Sequence, residues 1–259
     1  MVRILLTNDD GIGALGLTAL EEAFHSLRGV ELWTVAPDSQ RSACSHAMTL
    51  GKPVSVHQLG ERRYGHSGVV ADGVYWAIVH LMAQNPPDVV VSGINRGANL
   101  AEDVIYSGTV AGAREAVLRK IHGIAVSLVE GEDFSRAAKN VARIAMQLAT
   151  RSTQSENGDS MEAPVLLNVN YPPGEFGGPE LCRLGSRPYM PRVQQTRGSQ
   201  GDGYLIGGPP IPNILPEPGT DVALIKDGKA SMTPLLIDQT EHGILAGDHL
   251  VFLTDRGNL

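Results

Sequence analysis

A chain of 259 residues lies at the upper end of what one hydrophobic core serves, so one large α/β domain with an appendage is expected. Its net charge of -7 argues against duplex nucleic acid as a main partner, because neutralising phosphates takes a clustered basic surface. No apolar run reaches the ~18 residues of a membrane span, and Met1 leads into the first apolar run without a basic, apolar and cleavable leader, so no membrane partner and a cytoplasmic location are expected.

The first predicted element is a strand over 3–7 that runs straight into Asn8, Asp9, Asp10 and Gly11. Adjacent side chains on a strand face opposite ways, so Asp9 and Asp10 serve one site only where the backbone has left the strand, which Gly11 makes easy. Two acidic oxygens in such a turn suit a hard divalent cation; they also suit plain capping of the helix predicted over 16–27. Strands over 30–36, 88–92, 123–128 and 165–169 then alternate with helices over 71–82, 108–118 and 134–151, and 53–59 reads as an extra edge strand or hairpin. Such alternation means βαβ units and a mostly parallel sheet covered on both faces.

Residues 152–163 are polar and acidic and read as a mobile loop. From 171 to 220 the chain is punctuated by Pro and Gly, as in an extended arm or hairpin that leans on a second subunit. Arg183, Arg187, Arg192 and Arg197 form a loose basic series within it, read as a solvated face and not as an RNA contact. Residues 221–253 return to short apolar segments able to pack on the sheet. The expected division is therefore a core over 1–170 that carries the site, and an arm and return segment over 171–259. Cys44 and Cys182 are too few and too isolated for a disulfide framework or a CxxC metal site.

Three loops converge at the carboxyl edge of such a sheet. The loop APDSQRSA (36–43) brings hydroxyls that complete a metal shell, and GINRGAN (93–99) brings Asn95, a neutral oxygen ligand. Carboxylates, hydroxyl and amide oxygens match Mg²⁺, Mn²⁺ or Ca²⁺ and not the N/S shell of zinc, and the eight histidines show no HExxH pattern. The run YSGTVAGA (106–113) opens a small-residue helix with Ser107, Gly108 and Thr109, a phosphate cradle beside a metal and a simple N-cap without one.

ILLTNDDGI (4–12), VAPDSQRSACSHAMTL (35–50), VVVSGINRGANLAEDVIYSGTVAGAREA (89–116), LLNVNYPP (166–173), TDVALI (220–225) and SMTPL (231–235) together resemble the SurE family of metal-dependent nucleoside monophosphate phosphatases. The resemblance implies a Rossmann-like three-layer α/β/α sandwich whose C-terminal arm is exchanged between subunits of a homodimer or homotetramer. It maps one divalent metal ion onto Asp9, Asp10, Ser42 and Asn95, and phosphate contacts onto Asn99, Ser107, Gly108 and Thr109. It implies a 5′-nucleotidase, with 3′-phosphates left open as a second substrate class. The chain departs from the family pattern at the rim. GIGALG (11–16) stands where GIHAPG is usual, GVVADGV (68–74) where GTPADCV is usual, and YLI (204–206) where an aromatic YYW step is common. Metal and phosphate chemistry is expected to carry over; the altered rim bears on base recognition, loop rigidity and catalytic efficiency.

The expected reaction is attack of water on a metal-bound phosphomonoester, with Asp9 or Asp10 taking the proton; direct attack by Asp10 is the alternative, disfavoured by the absence of the DxDxT signature of aspartyl-phosphate enzymes. The alternatives are a non-catalytic nucleotide or phosphate sensor, and a phosphatase of polyphosphate or another phosphate ester.

Overall fold

The computed structural model describes residues 1–152, 163–198, 201–212 and 214–242. Strand β1 (Val2–Thr7) leads to helix α1 (Leu15–His25), then β2 (Val30–Pro37), the pair β3 (Val56–Gly60) and β4 (Arg63–His66), and α2 (Val70–Trp76). A π-helical turn (Ala77–Leu81) prolongs α2 before β5 (Val89–Arg96), α3 (Asp103–Tyr106), α4 (Gly108–Leu118), β6 (His122–Leu128), α5 (Ser135–Ser152) and β7 (Leu166–Tyr171). The last described elements are β8 (Glu180–Leu181), β9 (Val193–Gly198), β10 (Gly201–Ile206), α6 (Asp221–Lys226) and β11 (Ser231–Leu235).

The main sheet has nine strands in the order β3-β4-β2-β1-β5-β6-β7-β11-β8. From β4 to β7 every pairing is parallel, while β3 and β11 pair antiparallel with β4 and β7. The alternation of side chains along β1 divides the core: Ile4 and Leu6 pack with Leu17, Leu20 and Phe24 of α1 and Val141 of α5. Leu5, between them, packs on the other face with Val74, Ile78 and Ala116. β5 and β6 are buried along nearly their whole length because helices cover both faces, which explains their unbroken apolar runs.

This is the α/β architecture expected, with local differences. The 53–59 run forms the hairpin β3–β4 at one edge of the sheet. β5 continues past Ser92 to Arg96, its register against β6 shifting between Ser92 and Asn95. The short helix α3 had no signal in a four-residue stretch of mixed polarity. Part of the Pro/Gly-rich segment joins the main sheet as β8, alongside the returning β11, whereas β9 and β10 form a separate two-stranded ribbon. Most of the predicted mobile loop, and the end of the return segment from 243 on, lie outside the described residues.

The geometry that positions the site follows from connectivity. The chain leaves β1 toward α1 on one face, and leaves β5 toward α4 on the other, so the carboxyl ends of these neighbouring strands splay apart. Open α/β sheets bind ligands in such a crevice.

Candidate active site

The turn after β1 is shaped by Asn8, whose Nδ2 donates to the Gly11 carbonyl at 3.0 Å while the Gly11 N–H donates back to Oδ1 at 3.1 Å. Gly11 has a φ of 106°, a left-handed value that L side chains rarely adopt. The turn sends Asp9 inward and leaves Asp10 half-buried. The Thr109 hydroxyl donates to Asp9 Oδ1 at 2.6 Å, and the Arg41 N–H donates to the Asp9 carbonyl at 2.7 Å. Burial, with the neighbouring Asp10 charge, pushes the Asp9 carboxyl up to about 6 against the pull of Thr109. Burial also raises Asp10, opposed by the Arg96 N–H at 3.4 Å. Two adjacent carboxylates, each penalised for its charge, favour a cation between them.

Asp9, Asp10, Ser42, Asn95, Asn99 and Ser107 line one cleft of about 300 Å³ at the carboxyl edge of the sheet. Asn95 reaches it because β5 is irregular just before it, and its Nδ2 donates to the Gly97 carbonyl at 3.0 Å, which leaves Oδ1 available to a cation. Ser42 is exposed, its hydroxyl accepting from Gln40 Nε2 at 2.9 Å. The loop that carries it is pinned to the opposite side by Ser45, which donates to the Tyr106 and Ile105 carbonyls at 2.9 and 2.7 Å, and by His46 on Glu115 at 2.9 Å. Asn99 is buried and donates from Nδ2 to Ser127 at 2.8 Å. Ser107 caps α4, accepting from the Val110 N–H at 3.0 Å.

Gly108 and Thr109 stand differently from the rest. Neither lines the cleft; both back Asp9. The Thr109 hydroxyl is committed to Asp9, and a Cβ on Gly108 would stand 2.7 Å from Asp9 Oδ2. The first turn of α4 thus holds a carboxylate against its positive end.

Among the described residues no three His, Cys, Asp or Glu are grouped to hold a metal. The donors here are instead two carboxylates with a hydroxyl and an amide oxygen, which fit a hard, oxygen-seeking divalent ion and leave positions for water and substrate. Chemistry of the donor set therefore accommodates the ion that the sequence implies.

The cleft also contains side chains not anticipated as part of it. Asp103, Arg187 and Tyr189 line it. Arg187 Nη1 donates to Asp103 Oδ2 at 2.7 Å, and the Tyr189 hydroxyl donates to Asp103 Oδ1 at 2.6 Å. Arg187 departs from the solvated series assigned to it, being half-buried where Arg183, Arg192 and Arg197 are exposed. Sequence distance hid it, since Arg187 lies beyond β7 and no local pattern marks which of four arginines folds back.

The family model for Survival protein SurE matches residues 4–191. The chain is 42% identical over 243 residues to the 5′-nucleotidase SurE of Anaeromyxobacter dehalogenans (strain 2CP-C), covering 92% of this chain and 91% of that protein. It is 38% identical over 244 residues to the 5′-nucleotidase SurE of Vibrio campbellii (strain ATCC BAA-1116), covering 93% and 91%. The crystal structure of the SurE protein from Aquifex aeolicus superposes with a TM-score of 0.80 at 31% identity, over 98% of this chain and 100% of that one. Fold and sequence agree, and the chain belongs to the SurE family.

Proposed function

We propose that this protein is a divalent-metal-dependent phosphomonoesterase that hydrolyses nucleoside monophosphates, with 5′-phosphates as the main class and 3′-phosphates as a second. The observation that carries the reading is that Asp9, Asp10, Ser42 and Asn95 open into the same cleft as the Ser107 end of α4. Relatives named 5′-nucleotidase over nine-tenths of the chain support the substrate class.

Asp9, Asp10, Ser42 and Asn95 would hold one Mg²⁺ or Mn²⁺ ion, whose charge neutralises phosphoryl oxygens and acidifies water. The chain's own groups do the remainder. Thr109 and Gly108 fix Asp9 from behind, so its carboxylate needs no reorganisation during the reaction. Water attacks phosphorus, the ester P–O bond breaks, and the nucleoside oxygen leaves with a proton. The proton lost by the attacking water passes to Asp9 or Asp10 and from there to the departing nucleoside oxygen. Asn99 and Ser107 contact the phosphate within the same cleft. We further propose that the β9–β10 ribbon is the arm exchanged in a homodimer or homotetramer; its exposed Val193, Leu205 and Ile206 support this.

The test is phosphate release from a panel of nucleoside monophosphates with Mn²⁺, with Mg²⁺ and with chelator. Release that needs metal supports the reading. A folded, metal-loaded protein that turns over none of the panel refutes it.

A further inference from the structure

Resting on the phosphatase reading, we infer that Arg187 is a substrate-binding residue of this site: its guanidinium, held by Asp103 and Tyr189, grips the phosphate opposite the Asp9–Asp10 pair. The cleft needs such a group. Two carboxylates and one divalent ion leave little positive charge for a phosphomonoester dianion, and the other walls offer neutral amides and hydroxyls. Arg96, the other arginine on the cleft, is exposed, paired at 2.7 Å with the exposed Glu132, and its remaining pull falls on Asp10. Arg187 faces the cleft with its side chain 30% exposed, against an Asp103 carboxylate only 16% exposed. Among the described residues the guanidinium hydrogen-bonds only to Asp103, through Nη1, which leaves Nε and Nη2 as donors in the planar fork that suits phosphate oxygens.

Asp103 and Tyr189 act as positioning residues. An arginine free to swing in a cleft with Asp9 and Asp10 would collapse onto those carboxylates and displace the metal. Asp103 Oδ2 holds the guanidinium away, and the Tyr189 hydroxyl occupies the other oxygen, so the carboxylate has one orientation. The segment is also tied at its main chain, where the Arg187 N–H donates to Glu102 Oε2 at 2.7 Å and Ser186 Oγ donates to Glu102 Oε1 at 2.8 Å. Four polar contacts to Glu102 and Asp103, from Ser186, Arg187 and Tyr189, fix the arginine against the start of α3.

The experiment is isothermal titration of the Mn²⁺-loaded, full-length protein with inorganic phosphate, run beside KM and kcat on a nucleoside monophosphate. Arg187→Ala should weaken phosphate binding and raise KM by 10-fold or more at unchanged Mn²⁺ affinity, and Arg187→Lys should recover part of the loss because a cation remains. Asp103→Asn should weaken both phosphate and Mn²⁺ binding, since the released guanidinium competes for Asp9 and Asp10. Phosphate affinity within twofold of wild type in folded Arg187→Ala, or in Arg187→Gln should the alanine variant not fold, overturns the assignment and leaves the phosphatase reading standing. A wild-type protein that binds Mn²⁺ yet neither binds phosphate nor turns over nucleotides overturns both.

Discussion

At the scale of single residues the site is a problem of buried charge. Asp9 is 5% exposed, and a carboxylate so placed is kept only where its surroundings repay its desolvation. Thr109 and the start of α4 repay part of it. Asp9→Asn should abolish phosphate release while leaving the circular dichroism spectrum unchanged; an active variant would remove Asp9 from the mechanism. Thr109→Val keeps shape but deletes the 2.6 Å bond to Asp9, and should lower metal affinity or turnover by about 10–100-fold, as loss of a ligand's own partner does. Unaltered Mn²⁺ titration and kcat would show that the hydroxyl is only structural. Ser107→Ala, which deletes the cap of α4, should cost about 1 kcal/mol in urea unfolding.

Among the elements, α1 and β5 pack most closely beside the cleft, at Gly16 and Ile94. A Cβ on Gly16 would stand 2.0 Å from the Ile94 carbonyl oxygen, one residue before Asn95. Gly16→Ala must therefore push α1 away from β5, at on the order of 3 kcal/mol, and move Asn95, the proposed metal donor, with it. Thermal stability and Mn²⁺ affinity should fall together. Gly13→Ala is the matched control, since a Cβ there meets nothing within 4 Å, and it should change neither. Equal behaviour of the two variants would mean that α1 does not set the position of Asn95.

For the whole molecule, the telling group is His66, fully buried with neither ring nitrogen hydrogen-bonded to another described residue. Burial pushes its pKa from 6.5 down to about 4. Below pH 6.5 the unfolded chain takes up a proton that the folded protein refuses until about pH 4, so stability falls as pH drops through this window. The contribution is up to about 3 kcal/mol at ~1.4 kcal/mol per unit. Asp9, with its pKa raised to about 6, acts in the opposite sense over an overlapping range. Comparison with His66→Leu isolates the histidine: the variant should gain on wild type as urea unfolding is repeated from pH 7 down to pH 4.5. Parallel stability curves would show that His66 is solvated in the folded state.

What the amino-acid order determined by itself was local and repetitive. Apolar runs of strand length alternating with amphipathic ones sufficed for the parallel sheet, because burying both faces of β5 and β6 demands such runs wherever they fall in the chain. Asp9, Asp10, Asn95 and Ser107 were legible for the same reason, each sitting where an apolar run ends in a polar turn. Ser42 and Asn99 were legible only through family resemblance. Only the tertiary structure decided that Thr109 turns its hydroxyl to Asp9, a partner 100 residues away, and that Arg187 alone of its series reaches the cleft, on Asp103, 84 residues earlier. Contacts so distant leave no periodicity in the sequence; they exist because the sheet brings the ends of β1 and β5 together and the segment after β8 folds back across them.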